Sequence, residues 1–95
     1  MSGTDFLVHD DGDSVGVVVV EGVESGATLT GLEMESGKSV TMTALAAIPL
    51  GHKIALRDFK QGDTVLKYGH DIGKIVADAK AGDHIHVHNM KTKRW

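Results

Sequence analysis

Residues Lys80–Val87 read KAGDHIHV: a lysine, a small residue, a glycine and an aspartate lead straight into alternating polar and apolar positions. A close copy, KQGDTVL, occupies Lys60–Leu66, and looser copies are ESGATL (Glu24–Leu29) and PLGHKIAL (Pro49–Leu56). Each phrase turns on a glycine (Gly26, Gly51, Gly62 or Gly82) and then enters an apolar, β-compatible run. Glycine is expected at such a pivot when the turn takes a positive φ before the chain straightens. The phrase therefore predicts short strands entered through glycine turns.

The rest of the chain agrees. Runs rich in β-branched residues recur at Phe6–Val8, Val15–Val20, Thr28–Leu32, Ser39–Thr43, Lys53–Leu56, Thr64–Tyr68, Ile72–Val76 and Ile85–Val87, with Gly, Asp or Ser in nearly every gap. No window sustains a 3.6-residue stripe beyond two turns. TALAAIPL (Thr43–Leu50) is the best helical candidate, and Pro49 closes it after about one turn. A longer echo overlays VGVVVVEGVESG (Val15–Gly26) on IGKIVADAKAG (Ile72–Gly82), which suggests two related strand–turn units folded against each other. The expected fold is mainly β, with at most one or two helical turns.

Ninety-five residues make one domain, spanning 1–95, with room for a small core. An active site with its own roof and walls is hard to build at this size, whereas part of a shared site is easier. A net charge of −3, with acids and bases mixed along the chain, gives no support for a nucleic-acid or membrane surface. No apolar run approaches the ~20 residues of a membrane span. The start, MSGTDFLVHDDGD, is acidic and does not read as a signal peptide, so a cytoplasmic protein is the default. With no cysteine, a metal must be held by His and carboxylates.

GHKIAL (Gly51–Leu56), VLKYGHDIG (Val65–Gly73) and GDHIHVHN (Gly82–Asn89), in that order, resemble the SAF domain, a small β-clip module. More narrowly, they resemble its form in altronate and galactarate dehydratases, and the resemblance runs from about Phe6 to Trp95. In that family the module is fused to a large catalytic domain or made as a separate small subunit. The ending HNMKTKRW is also similar to the small subunits of sulfolactate sulfo-lyases, relatives that eliminate sulfite instead of water. The resemblance implies a large catalytic partner subunit, a small hydroxy-acid substrate and a divalent metal, Fe(II) or Mn(II).

On a strand, Cβ directions alternate, so His84, His86 and His88 share one face while Ile85 and Val87 take the other. Neighbours two apart sit at ~6.5–7 Å, so two of the three imidazoles can converge on one cation. The remaining ligand would be a carboxylate, His52, His70 or a residue of another chain. Equally, three exposed histidines could be no more than the wet face of a strand whose other face is buried. Asn89 can donate to and accept from a hydroxy acid, or simply end the strand in a turn. His52 is a candidate base or ligand and Lys53 a candidate carboxylate or sulfonate partner. The catalytic candidates are thus His52, Lys53, His86 and His88, and the substrate-binding candidates Asn89, Lys67 and Lys91.

Lys67 and Tyr68 point to opposite faces of a continuing strand, so at most one reaches a site. Trp95, behind Lys91, Lys93 and Arg94, suits an end docked on a partner, a homo-oligomer included. HDDGD (His9–Asp13) reads first as a turn. No phosphate loop or nucleophile elbow is present. Two classes of function follow: a lyase small subunit that is inactive alone, or a non-catalytic binding or structural module docked on a larger chain.

Overall fold

The computed structural model describes residues 3–9, 13–67, 70–86 and 90–92, with the side chains of 66–67, 70–72 and 90–92 outside that description. Among the described residues there are nine strands and no helix. Strands β1 (Phe6–Val8), β2 (Val15–Val18), β3 (Thr28–Glu33), β4 (Ser39–Thr43), β5 (Lys53–Ala55) and β8 (His84–Ile85) form one sheet, in the order β4-β3-β1-β2-β5-β8. Strands β6 (Thr64–Lys67), β7 (His70–Ile75) and β9 (Met90–Thr92) form a second, in the order β6-β7-β9. Every pairing is antiparallel except β1 with β3. Each of the eight apolar windows holds a strand; β9, in the basic tail, falls in none of them.

The four glycine phrases fold by one hydrogen-bond scheme. The residue after each glycine donates its N–H three residues back: Ala27 to Glu24, His52 to Pro49, Asp63 to Lys60 and Asp83 to Lys80. The glycines take φ of +91°, +85°, +96° and +94° in chain order, the left-handed region that a Cβ disfavours. Each glycine N–H then donates to one facing residue (Ala44, Val18, Ile75 or Ala55), whose own N–H returns to the carbonyl after the glycine. This is a β-bulge headed by glycine, which bends the chain into the strand that follows.

Three residues before each glycine stands a buried side chain, and these pair as Val23 with Ile48 and Phe59 with Ala79. The second pair is nearly two-fold symmetric. Asp58 Oδ1 accepts the Ala81 N–H and Asp78 Oδ1 accepts the Gln61 N–H, both at 2.8 Å. Asp63 and Asp83 each close their own turn through the N–H of Lys60 and Lys80. The overlay of Val15–Gly26 on Ile72–Gly82 has a matching basis: Val18 and Ile75 occupy equivalent places and receive the N–H groups of Gly51 and Gly62.

The expectation of a helical turn in Thr43–Leu50 is corrected. Ala44 N–H donates to Ala27 O, Leu45 to Gly82 O and Ile48 to Val23 O. Distant strands thus claim this segment's donors, Ile48 among them, whose N–H a helix would bond to Ala44 O, while Ala44 and Ile48 are buried. Tertiary pairing overrides the local preference.

Alternation divides the core in two. Phe6, Val8, Val18, Val23, Leu29, Ala44, Ile48 and Ile54 form one cluster. Val15, Ala55, Phe59, Val65, Ile75, Ala79 and Ile85 form the other. Ile54 and Ala55 are successive residues of β5 and enter different clusters, as the pleat requires.

Candidate functional site

The bulge at Gly82 fixes how β8 lies on β5. Ala55 bonds to Gly82 and Asp83, so Ile54 falls opposite His84 and Lys53 opposite Ile85. One step further brings His86 beside His52, the residue delivered by the Gly51 turn. The His52 and His86 rings stack with centroids 3.9 Å apart and planes at 21°. The His84 ring lies 4.9 Å from His52 and 5.8 Å from His86. His52 Nδ1 and His84 Nε2 are 2.7 Å apart, a hydrogen bond in which one of the two nitrogens carries the proton.

One potential ligand nitrogen from each of the three rings lies within 4.8 Å of the others. All three residues are half-buried. Ile54 and Ile85, both fully buried, pin the two strands from opposite faces. Imidazole nitrogen is a borderline donor that suits iron, cobalt, nickel and zinc. The residues present therefore fit a divalent transition metal, with no carboxylate in the set.

Among the sequence candidates, His52, His84 and His86 come together, and His84 and His86 share a face. Lys53 lies opposite Ile85, and the pleat sends its Cβ to the face away from the three rings. His88 and Asn89 lie outside the described residues, as do Tyr68 and Trp95. Lys67 ends β6 and Lys91 is central in β9, both in the second sheet, with side chains outside the description. His70 opens β7 and shares that limit.

An open cleft elsewhere lies between Phe59, Lys60, Ala79 and Lys80. Its Asp58, Asp78 and Asp83 carboxylates already accept backbone N–H groups, so it carries architecture and not chemistry.

These features define a class. Residues 4–93 match the altronate/galactarate dehydratase SAF domain, and the chain belongs to that family. It is similar to the (2R)-sulfolactate sulfo-lyase subunit alpha of Chromohalobacter salexigens, 54% identical over 91 residues, which cover 96% of this chain and 97% of that protein. The protein of the same name from Paracoccus pantotrophus is 63% identical over 54 residues, 57% of this chain and 81% of its own length. The altronate dehydratase of Bacillus subtilis is 53% identical over 45 residues, which make up 47% of this chain and only 9% of that enzyme.

Proposed function

We propose that this chain is the small subunit of a two-subunit lyase that releases sulfite from (2R)-sulfolactate, and that His52, His84 and His86 form one wall of a pocket completed by a large catalytic chain. The observation that carries the reading is the 54% identity to a sulfo-lyase alpha subunit over 97% of that protein's length. The altronate dehydratases match over about a tenth of theirs. Water elimination from a sugar acid is therefore the second reading, favoured by the 53% identity within the matched part.

The reaction sets clear demands. A base takes the proton on the carbon beside the carboxylate, that C–H electron pair becomes a C=C bond, and the C–S bond breaks with its electrons leaving on sulfite. The product is the enol of a 2-oxo acid. Proton transfer of this kind is served by groups able to donate and accept near neutral pH, and imidazole is the side chain that does both. In the His52–His84 pair a proton sits between two ring nitrogens, so this edge can hold or pass one. A divalent cation, iron or manganese, supplies Lewis acidity toward the carboxylate and the developing enolate when bound.

His86 stacks on His52 and holds its ring plane. Asn89, His88, Lys67 and Lys91 remain proposed contacts to substrate, and the cytoplasm the proposed compartment. The small chain is inactive alone, since the large partner brings the rest of the constellation. Co-expression with candidate large chains, followed by sulfite assay on (2R)-sulfolactate, tests the reading. Sulfite release that needs both chains is the expected result. Dehydration of altronate or galactarate instead would favour the second reading. A stable complex active on neither class would favour a non-catalytic docking module.

A further inference from the structure

We infer that His52, His84 and His86 form a complete three-imidazole metal centre within this one chain, selective for iron-like transition metals over manganese and magnesium. Spacing on the last strand left the third ligand open among a carboxylate, His52, His70 and another polypeptide. Among the described residues, the folded register brings His52 to that place. The β5–β8 pairing sets His52 against the two alternate histidines, and all three donor nitrogens fall within 4.8 Å of one another.

The geometry is close to what an ion needs. Two nitrogens bound to one ion at ~2.0–2.1 Å stand roughly 3 Å apart when adjacent in its coordination sphere. The His52–His84 separation of 2.7 Å is slightly shorter than this. Rotation about the side-chain bonds is what must part this pair slightly and draw the third donor, within 4.8 Å, onto the same point, while the Gly51 and Gly82 bulges hold the backbone at His52 and His84. The proton shared by His52 and His84 is what an entering cation must displace.

The donor chemistry sets the selectivity. Manganese and magnesium prefer carboxylate, carbonyl and water oxygens, and divalent affinity for nitrogen sites rises from manganese through iron to cobalt and nickel. The set of three holds no carboxylate, so its neutral rings leave the ion's full double charge uncompensated. Such a centre keeps open positions and attracts an anionic oxygen ligand, such as the carboxylate of a hydroxy acid. This deepens the lyase reading because it concerns the same cluster, but it needs no partner chain and no turnover.

The test uses the full chain on its own, titrated anaerobically with Co(II), Fe(II) or Mn(II) and followed by calorimetry, cobalt visible absorption and imidazole ¹⁵N spectra. One Co(II) per chain is expected, with all three ring signals shifted and Mn(II) bound at least about tenfold more weakly. His52→Ala, His84→Ala and His86→Ala should each weaken Co(II) binding by about 100-fold or more, since outer-shell partners alone are worth roughly 10–100-fold. His88→Ala should change it by less than about threefold on the same scale. Far-UV circular dichroism checks that each variant folds, with His52→Gln standing in should His52→Ala not.

No saturable Co(II) binding to the wild-type chain would overturn the inference, as would full affinity in the His52 variants. Equal loss in His88→Ala would overturn it too. If cobalt binds as stated and no large chain yields elimination activity, the centre stands and the lyase reading falls. If a complex releases sulfite while its small chain binds no metal, the lyase reading stands and the centre falls.

Discussion

His52 Nδ1 and His84 Nε2, 32 residues apart in sequence, meet at 2.7 Å where β5 and β8 run antiparallel. The contact joins the end of one glycine turn to the strand that follows another. Replacing His52 with Ala removes a half-buried ring and leaves the backbone scheme intact. In the reconstituted two-chain enzyme, sulfite release should fall by about 10²-fold or more, as the loss of a proton-holding group or of a metal ligand would. Unfolding of the small chain, followed by circular dichroism, should move by no more than about 1 kcal/mol.

Gly82 and Gly62 offer a controlled comparison. Both hold positive φ in equivalent turns, but a Cβ on Gly62 meets nothing within 4 Å, whereas on Gly82 it would lie 2.2 Å from the Thr43 carbonyl oxygen. Gly62→Ala should therefore cost about 1 kcal/mol of backbone strain. Gly82→Ala should cost about 1–3 kcal/mol more, as overpacking does, and should shift the imidazole spectra of His84 and His86. Urea denaturation of the two variants checks the difference; equal costs would refute it.

Gly31 lies beneath the Phe6 ring, and a Cβ there would reach within 2.2 Å of it. Gly31→Ala should destabilise by about 2–3 kcal/mol. Phe6→Leu alone leaves a gap in the core, yet the Gly31→Ala/Phe6→Leu double variant should recover part of both losses. A double-mutant cycle that came out additive would show that ring and glycine do not oppose one another.

Asp58 and Asp78 perform the same task across the near two-fold, each accepting an N–H of the other's turn at 2.8 Å. Asp58→Ala and Asp78→Ala should each cost about 0.5–1.5 kcal/mol, and by similar amounts. The exposed Arg57–Asp63 pair, at 3.7 Å, adds little, so raising the salt concentration should leave wild-type stability nearly unchanged. Thermal melts at low and high ionic strength check both statements.

Much of this architecture was legible because its signals are local. A glycine that must turn left, followed by a β-branched run, announces a turn and a strand from six or seven residues alone. The shared face of His84 and His86 follows from alternation in the same way. What escaped was non-local. Thr43–Leu50 reads as a helical turn until Ala27, Gly82 and Val23 claim its N–H groups. His52 and Lys53 are neighbours in sequence, and the pairing of Lys53 with Ile85 sets its Cβ on the face away from the rings. Asp58 and Asp78 close each other's turns across the near two-fold, a pairing of residues 20 apart that no local phrase announces.

The position of β1 makes the amino-terminal segment a keystone. Phe6–Val8 lies between β3 and β2, parallel to the first and antiparallel to the second. Without it the β3–β4 hairpin would hang from the rest of the molecule by its loops, and two inner edges would open to solvent. Truncation or a bulky fusion at Asp5 would therefore split the sheet through its middle, whereas most chains tolerate such trimming at an end. During synthesis, Phe6–Val8 must wait for Thr28–Glu33 before one of its two edges can be paired.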